Sequence, residues 1–233
     1  MNHNSRIPLP TVERLATYFR YLIELEDQEV DIISSAYIEE VTGINAAQFR
    51  KDLSYFGEFG TPGVGYNVRD LRTRIAGILK VKDEQPVLLV GAGSLGSALV
   101  GYTGLRSHKF NVVAAFDNSS AKIGRQLHDL KIMDARDIKE VNETVGARVA
   151  IVAVPAAAAQ NVVDRLVDAG VKVILNFAPA TIRVPDDVVV RHVCFIRELT
   201  VLSFYLPRED ASEAPSAESL RGSLARTRPA VSR

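Results

Sequence analysis

The sequence predicts an α/β protein in two parts, a helical N-terminal domain over residues 1–82 and a parallel-sheet domain over residues 83–194. Three observations support this. Up to Lys80, apolar residues recur mainly at the spacing of amphipathic helices. Beyond residue 86, short apolar runs alternate with amphipathic stretches, which is typical of buried strands joined by helices. The polar segment Lys82–Pro86 between the two patterns indicates a linker.

Composition and charge indicate a folded protein without selecting a function. Hydrophobic residues make up 47% and charged residues 24% of the 233 residues, as in ordinary globular domains. The 28 basic side chains equal the 28 acidic ones, so no overall field attracts an acidic partner. Cys194 is the sole cysteine, which excludes a disulfide within the chain and is typical of a reducing compartment. With no signal-peptide pattern and no apolar run of about 20 residues, we expect a cytoplasmic protein without membrane contact.

Three helices are predicted at the start of the N-terminal domain. The first spans Val12–Glu26, where apolar residues recur every few positions and Thr11 suits the N-cap. Two shorter helices follow, over residues 36–41 and 45–56, separated by a short turn that contains Gly43. Two short helices joined in this way predict a helix-turn-helix motif.

A glycine-rich segment, residues 57–66, follows the third helix. Its Pro62-Gly63 pair suits the centre of a type II turn, and Phe59, Val64 and Tyr66 suit the flanking strands. We interpret the segment as a small hairpin that forms a wing beside the helix-turn-helix.

The third helix carries a polar face next to this hairpin. Gln48 and Lys51 lie on that face of the helical wheel, with Arg50 at its flank. Amide and basic side chains on one helix face are typical of a helix that enters the major groove, and a glycine-rich hairpin can follow the phosphates. The candidate DNA-contacting residues are Ser34, Ser35, Ala47, Gln48, Arg50, Lys51, Ser54, Tyr55, Thr61, Gly63 and Tyr66. Because residues 1–80 are slightly acidic overall while residues 44–75 are basic, this pattern alone favours DNA binding and protein docking equally.

Buried strands that alternate with helices predict a parallel sheet with right-handed crossovers. From residue 68 onward we predict helices over Val68–Lys80, Gly93–Tyr102, Ala157–Asp168 and Phe195–Leu206, and strands over Val87–Val90, Val112–Phe116, Val149–Val154 and Val171–Leu175, with a further short strand and helix between Lys131 and Val145. The last helix is apolar on most of its circumference, so we expect another protein surface to cover it. Residues 207–233 contain few large aliphatic residues, so we expect a disordered tail.

The run Val87–Val90 leads directly into the motif Gly91-Ala92-Gly93-Ser94-Leu95-Gly96. A G-x-G-x-x-G pattern between a strand and a helix is typical of a Rossmann dinucleotide site. The first glycine makes a tight turn, the second lets the backbone approach a pyrophosphate, and the third lets helix and strand pack closely. The helix N-terminus supplies the anion site. A related fold that binds coenzyme A, or no ligand, is the alternative.

Asp117 ends the next predicted strand, about twenty residues after Gly96, where an acidic residue hydrogen-bonds the adenosine ribose. The negative charge of Asp117 repels a 2′-phosphate and so favours NAD(H) over NADP(H). Lys122 and Arg125, which follow Asp117 in the sequence, could nevertheless bind a phosphate. The purely structural alternative for Asp117 is an Asx turn into Asn118.

Ligands in open α/β sheets lie beyond the carboxyl ends of the strands. The glycine-rich turn and the residues at these strand ends form the candidate cofactor site: Gly91, Ala92, Gly93, Ser94, Leu95, Gly96, Asp117, Asn118, Val154, Pro155, Asn176, Phe177 and Ala178. For the residues after the later strands, ordinary turn chemistry is the alternative.

Residues suited to catalysis are few. The four histidines lack metal-ligand spacing and no G-x-S-x-G motif occurs, so we expect neither a metal site nor an enzyme. The chain beyond Leu175 is also too short for the substrate domain of a dehydrogenase. We interpret Cys194 as a buried small hydrophobic residue rather than an oxidation-sensing thiol. An NAD-dependent oxidoreductase with a helical appendage is the enzymatic alternative.

Five segments, residues 12–22, 48–60, 63–66, 91–96 and 176–179, carry a family resemblance. Together they resemble the bacterial redox-sensing transcriptional repressor family Rex, over about residues 7–206. The resemblance implies a winged-helix domain on a Rossmann domain, in a homodimer whose C-terminal helices are exchanged between subunits. It also implies binding to palindromic operator DNA that NAD+ favours and NADH relieves, which decides the question of DNA binding.

The Rex family places an arginine of the first helix, a tyrosine after the glycine-rich helix and an aspartate near the swapped helix in a ligand-sensitive polar network. The matching residues are Arg20, Tyr102 and Cys194. Arg20 and Tyr102 agree with the family, whereas Cys194 departs from the carboxylate and cannot make its charged contact. By this resemblance Tyr102 and Phe195 join the cofactor candidates, and we expect Phe195 near the nicotinamide site of the partner subunit.

Overall fold

The computed structural model describes residues 7–206 of the chain. It divides into two compact units, one ending at His192 and the other beginning at Val193. The first unit contains a group of helices followed by a mostly parallel sheet, so the expected α/β class is confirmed. The tail predicted over residues 207–233 lies outside the described residues. No helix within residues 7–206 is long and apolar enough to cross a membrane.

The N-terminal part of the described chain contains the helices α1 (Leu9–Asp27), α2 (Ser35–Thr42), α3 (Ala46–Ser54) and α4 (Val68–Leu79). Helix α1 begins after its N-cap Pro8, and Pro10 lies in the first turn, where the missing N–H of a proline costs no hydrogen bond within the helix. Thr11 is instead buried, and its hydroxyl donates to Asp52 Oδ1 at 3.2 Å. The predicted N-cap role of Thr11 is therefore wrong.

Capping residues fix the helix-turn-helix. Ser34 Oγ accepts the Tyr37 N–H at 3.0 Å and begins α2, while Gly43 ends it with a φ of 69°. Asn45 Oδ1 accepts the Ala47 N–H at 2.8 Å and begins α3. The short polar residues in the sequence thus set both ends of the turn, and the predicted motif is confirmed.

The wing is smaller than the predicted hairpin. Thr61 and Gly65 form an isolated antiparallel bridge, in which the Thr61 N–H donates to the Gly65 carbonyl at 2.8 Å. The next strand, β2 (Tyr66–Asn67), pairs with β1 (Ile32–Ile33), which precedes the second helix. The predicted strand at Phe59 does not form within the described chain, since β1 supplies the partner of β2.

The sheet of the described chain has seven strands: β3 (Gln85–Val90), β4 (Phe110–Asp117), β5 (Gln126–Leu127), β6 (Leu130–Asp134), β7 (Val149–Val152), β8 (Val173–Asn176) and β9 (Val189–His192). Their spatial order is β5-β6-β4-β3-β7-β8-β9, and all neighbours are parallel except β5 and β6. The strand order reverses between β3 and β7. Ligands of such sheets bind at this switch point, beyond the carboxyl ends of the strands.

Further helices of the described chain are α5 (Ser94–Gly101), α6 (Thr103–Ser107), α7 (Ile138–Val145), α8 (Ala156–Asp168) and, in the second unit, α9 (Phe195–Ser203). Strand β9 was not predicted, because this edge strand is largely exposed and lacks a buried apolar pattern. The segment interpreted as a linker already enters the sheet at Gln85. The domain boundary near residue 83 stays a prediction.

Buried side chains form separate cores on the two sides of residue 83. Among the N-terminal helices, the fully buried rings of Tyr18 and Phe49 meet edge to face with centroids 4.9 Å apart. In the sheet, Phe116 packs on one face, while Val87 and Leu89 pack on the other. These cores hold α3 and the carboxyl ends of the strands, where the candidate site residues lie.

Candidate functional site

A cleft of about 960 Å³ opens at the carboxyl ends of β3, β4 and β7. The expected cofactor residues that line it are Gly91, Gly93, Ser94, Leu95, Asp117, Asn118, Val154 and Pro155. Ala92 and Gly96 are buried in the same turn and helix. The glycine-rich motif therefore lies at the switch point of the strand order, as a dinucleotide site requires.

The three glycines of the motif meet different steric demands. Gly91 has a φ of 106°, and a Cβ there would lie 2.3 Å from the Ala153 carbonyl oxygen. A Cβ on Gly96 would lie 1.9 Å from the Gly91 carbonyl oxygen, so α5 and the turn touch backbone to backbone. Gly93, in contrast, has nothing within 4 Å of its Cβ position. Backbone packing thus requires glycine at Gly91 and Gly96, whereas the space beside Gly93 is open to the cleft.

The N-terminal end of α5 borders the same cleft, through Ser94 and Leu95. Gly93 is its N-cap and, within the described structure, no side chain caps the helix. Uncapped N–H groups and the helix dipole attract anions. The turn can therefore hold a pyrophosphate.

Asp117 is a buried carboxylate at the end of β4. It accepts hydrogen bonds at 2.9 Å from the Ala92 N–H, the Ser119 N–H and Lys122 Nζ. Burial alone would raise the pKa of Asp117, but the hydrogen bonds from Lys122, Ser119 and Ala92 outweigh it and hold that pKa below its usual value. The Asx-turn alternative is thus realised at the same residue that borders the cleft, so the two interpretations are compatible.

Further charged groups, which sequence reasoning missed, line the cleft beside Asp117. Asp134 lies opposite Asp117 in the β4–β6 register, and Arg136 donates to it at 2.6 Å. That hydrogen bonding lowers the pKa of Asp134 to about 2. Arg165 of α8 lines the same cleft. The signal available in the sequence was the position of Asp134 at the end of the third strand unit, where it meets the end of β4.

Asn176 holds its own loop together. Its fully buried side chain accepts the Ala178 N–H, donates to the Ala178 carbonyl and donates to His192 Nδ1, each at 3.0 Å. Asn176, Phe177 and Ala178 do not line the glycine-rich cleft. Their assignment beside the nicotinamide therefore stays a prediction.

Two of the residues that match the family's polar network, Arg20 and Tyr102, have neighbours within the chain. Arg20 pairs with Glu24 at 3.2 Å and lies over the Tyr21 ring. Tyr102 is exposed, and its ring lies so close to Gly104 that a Cβ there would be 2.4 Å from it.

In the second unit, the cysteine and phenylalanine candidates begin α9. Cys194 is exposed and caps this helix, with Sγ accepting the Arg197 N–H at 3.4 Å. The interpretation of Cys194 as a buried residue is therefore wrong for the single chain. Phe195 is likewise exposed.

A second cleft, of about 710 Å³, lies between the wing and α3. It brings together seven of the residues expected to contact DNA: Ser34, Ser35, Arg50, Ser54, Thr61, Gly63 and Tyr66. Arg50 donates to Ser35 Oγ at 2.6 Å and is exposed. Ala47, Lys51 and Tyr55 are exposed elsewhere on α3 and at its end. A basic helix face and a glycine-rich wing therefore lie side by side.

Gln48 does not share the exposed face. It is half-buried, and its Nε2 donates at 2.9 Å to Oδ1 of Asp52, one helical turn later. The outward orientation inferred from the helical wheel is wrong for Gln48, because Asp52 is itself fully buried and needs donors. Asp52 also accepts from Arg14 Nε at 2.6 Å and from the Tyr18 hydroxyl at 3.0 Å. Sequence reasoning missed Asp52, since a charged residue among polar neighbours gives no sign of burial.

Comparisons with known proteins match both parts of the described chain. A family model described as a CoA binding domain matches residues 82–180, and one described as a putative DNA-binding protein N-terminus matches residues 6–54. The redox-sensing transcriptional repressor Rex of Carboxydothermus hydrogenoformans is 46% identical over 88% of this chain and 98% of its own length. The chain belongs to the Rex family. The Rex of Desulforamulus reducens is 43% identical, over 86% of this chain and 96% of its own length.

Solved Rex-family structures have the same fold. The crystal structure of RSP, a Rex-family repressor, has a TM-score of 0.77 and 33% identity, covering 94% of this chain and 98% of its own. RSP in complex with β-NAD+ and operator DNA gives 0.80 and 34%, covering 94% and 97%. RSP in complex with β-NADH gives 0.77 and 32%, covering 94% and 99%. The resemblance to Rex inferred from the sequence, and the order of a DNA-binding domain before a Rossmann-like domain, are confirmed.

Proposed function

We propose that this chain is a transcriptional repressor that binds operator DNA and leaves it when NADH binds. The observation that carries the proposal is that one chain of the Rex family presents both a glycine-rich cleft bordered by Asp117 and an exposed basic face at Arg50. The RSP structures with β-NAD+ and operator DNA and with β-NADH support the same pair of ligands. Since operator DNA lies in the bacterial cytoplasm, we place the chain there.

Within the cleft, this chain's residues fit NAD(H). The N–H groups at Gly93 and Ser94 face the pyrophosphate, because the helix end is uncapped and the Gly93 position is open. Asp117 accepts hydrogen bonds from the adenosine ribose. The nicotinamide extends toward Val154 and Pro155, which line the cleft after β7. The cofactor supplies a redox-dependent charge, since NAD+ carries one positive charge more than NADH on its nicotinamide ring.

We propose that the cofactor is a signal and that the chain does not catalyse hydride transfer. Between β8 and β9 the described chain has only the loop over residues 177–188, which leaves no segment there for a substrate domain. The match to a CoA binding domain supports the sheet architecture and makes a coenzyme A-binding regulator the alternative to test.

For DNA, we propose that α3 enters the major groove while the wing follows the backbone. Arg50 and Lys51 meet bases or phosphates from the exposed face of α3. Thr61 and Gly63 reach the phosphates from the wing, where Gly63 has a φ of 78° and exposes its backbone. Gln48 contributes by holding Asp52 rather than by touching bases.

For the second unit, we propose a helix that joins two copies of the chain. The large apolar residues of α9 and its C-terminal end are exposed: Phe195, Ile196, Leu199, Val201, Leu202, Phe204, Tyr205 and Leu206. A surface of this kind marks an interface. Exchange of these helices makes a two-fold symmetric dimer, whose paired α3 helices match a palindromic operator.

The switch requires two dimer arrangements that bind NAD+ and NADH with different affinities. A ligand shifts such a balance no further than its differential affinity allows. Because Cys194 replaces the carboxylate of the family network, we propose that packing by Phe195 and Tyr102 carries the coupling.

A gel shift on palindromic operator DNA tests the proposal. We expect a stable complex without ligand and with NAD+, and release on adding NADH. Thermal shifts with NADH, NAD+, NADPH and coenzyme A identify the ligand, because a ligand that binds the folded state raises Tm. Any of three results would contradict the proposal: the DNA complex persists after NADH is added, coenzyme A alone of the four ligands raises Tm, or the chain transfers hydride at an enzymatic rate.

A further inference from the structure

The wing segment, residues 57–66, contains four glycines, and all four have a positive φ. A segment so rich in glycine is ordered only where contacts hold it, because glycine gives the backbone its widest range of conformations. Within the segment, Thr61 and Gly65 exchange two hydrogen bonds, of 2.8 and 3.0 Å. These bonds close the tip of the wing but do not set its direction relative to α3 and α4.

The two sides of the wing are attached to the N-terminal helices in different ways. On the C-terminal side, Tyr66 pairs with Ile33 between β1 and β2, and its ring meets the Phe49 ring edge to face with centroids 5.2 Å apart. On the N-terminal side, Arg74 of α4 donates from a terminal nitrogen to the Glu58 carbonyl at 3.1 Å. A side chain of α4 thus holds the side of the wing that strand pairing leaves open within the described chain.

Arg74 reaches the wing across a groove. This groove, of about 280 Å³, lies between the wing and α4, and Glu58, Phe59 and Arg74 all line it. The guanidinium carbon of Arg74 lies 5.4 Å from the centroid of the Phe59 ring, within the range of a cation–π contact. Its Nε also pairs with Asp70, one turn earlier in α4, at 3.0 Å. The planar guanidinium group therefore joins α4 to both the backbone and a side chain of the wing.

We propose that Arg74 is a positioning residue for operator binding, which holds the wing in the direction that DNA requires without itself contacting DNA. The inference rests on the proposed binding of operator DNA. The segment 57–66 contains no lysine or arginine, so attraction to phosphates does not orient the wing as DNA approaches. A wing that is already held in place loses less conformational entropy on binding, and operator affinity is higher for that reason.

Gel shifts on operator DNA at several salt concentrations, with the unmodified full chain and with Arg74→Ala, test the inference. We expect the operator Kd to rise about tenfold in the variant, which corresponds to fixing the backbone of roughly one additional residue on binding. The slope of log Kd against log salt concentration should stay the same, because the wing carries no basic side chain to neutralise a phosphate. The NADH Kd should also be unchanged, since Arg74 does not line the glycine-rich cleft.

Amide hydrogen exchange of the free protein measures the mobility of the wing directly. Exchange at Thr61 and Gly65 should be faster in Arg74→Ala than in the unmodified protein. Arg69→Ala is the matched control, because Arg69 lies on the same helix and its exposed ion pair with Glu26 does not involve the wing. Asp70→Ala removes the ion pair of Arg74 but keeps its contacts with the wing. Both controls should resemble the unmodified protein in operator Kd and in amide exchange.

The outcomes separate the inference from the proposed function. Operator binding by Arg74→Ala that is as tight as in the unmodified protein overturns the inference and leaves the proposed function intact. A weaker complex whose salt slope is flatter by about one unit also overturns it, because Arg74 then neutralises a phosphate itself. Unchanged amide exchange in the wing, or an equal loss of affinity in Arg69→Ala, overturns it as well. If the unmodified chain does not bind operator DNA, the proposed function fails and the inference fails with it. Should Arg74→Ala not fold, Arg74→Leu replaces it with the same expected results.

Discussion

Arg14 and Asp52 join the first helix to the helix that presents Arg50 and Lys51. Arg14 Nε donates to Asp52 Oδ2 at 2.6 Å, and its terminal nitrogen donates to Oδ1 at 2.7 Å. Asp52 is fully buried, whereas the Arg14 side chain is about one-quarter exposed (26%). The orientation of α3 therefore depends on a charged contact inside the N-terminal core, directly beneath the face proposed to bind DNA.

Replacing Asp52 by alanine should destabilise the protein by about 3 kcal/mol, because it leaves the Tyr18 hydroxyl and Arg14 without their buried acceptor. Operator affinity should fall as well, since α3 loses its tie to α1. Urea denaturation and a gel shift measure the two effects. Asp70→Ala is the control, because the Asp70–Arg74 pair is exposed and is worth less than about 1 kcal/mol. Equal urea midpoints for Asp52→Ala and the unmodified protein would show that the contact contributes nothing.

Stability should fall in acid in a way that depends on Asp52. Burial alone would raise the pKa of Asp52, but hydrogen bonds from Arg14, Gln48 and Tyr18 outweigh it and lower that pKa below its ordinary value of 3.8. A carboxyl whose folded pKa is depressed stabilises the fold above its unfolded pKa and loses this contribution as pH falls through the folded value. The free energy of unfolding should thus decline below about pH 5, and less steeply in Asp52→Ala. Parallel pH profiles for the two proteins would contradict the assignment.

The sequence predicts well those parts of the fold that local chemistry determines. Ser34, Asn45 and Gly43 set the ends of α2 and α3 by capping, and the glycine motif set the turn before α5. Strand β9 was missed because an edge strand is held by its neighbour β8 rather than by its own burial.

The sequence predicts the site residues that belong to a motif. It does not predict those whose surroundings come from segments that are distant in the sequence. Asp117 follows from its spacing after Gly96, but its partner Lys122 was recognised only as a nearby charge. The burial of Asp52 depends on Thr11, Arg14 and Tyr18, which lie more than thirty residues away in the sequence. A helical wheel contains no information on such contacts, and so it placed Gln48 on the wrong face.

Two glycine substitutions should have opposite consequences. Gly93→Ala should leave Tm nearly unchanged, because its Cβ meets nothing within 4 Å, but should weaken NADH binding about tenfold or more by blocking the pyrophosphate. Gly96→Ala should unfold or strongly destabilise the sheet domain, since its Cβ would lie 1.9 Å from the Gly91 carbonyl oxygen. Melting curves and NADH titrations distinguish the two. Normal NADH affinity in Gly93→Ala would place the pyrophosphate elsewhere.

Replacing Arg50 and Lys51 together by alanine should abolish specific operator binding while leaving NADH affinity intact, since both residues are exposed on α3 and away from the cleft. The salt dependence of any residual binding should flatten by about one unit of slope for each phosphate that the variant no longer neutralises. Gel shifts at several salt concentrations measure both. Lys131→Ala with Lys139→Ala removes the same charge from the sheet domain and should bind DNA normally. Full operator affinity in the α3 variant would refute the assignment of α3.

Truncation before Phe195 should separate ligand binding from repression. The large apolar side chains of α9 and its C-terminal end are too exposed for a stable free surface: Ile196 is 71% exposed and Phe204 is 83% exposed. Without α9 the chain should be monomeric or aggregated, and operator binding should be lost because two half-sites are no longer read together.

The control for this truncation is a chain that stops after Leu206, which keeps α9 and should stay dimeric. Size-exclusion chromatography with light scattering gives the oligomeric state, circular dichroism reports whether the truncated chain is folded, and a gel shift gives DNA binding. Because the cleft residues all precede His192, a folded truncated chain should still bind NADH, although its affinity no longer depends on operator DNA. A truncated protein that stays dimeric and still leaves DNA on adding NADH would show that α9 neither joins the subunits nor carries the signal.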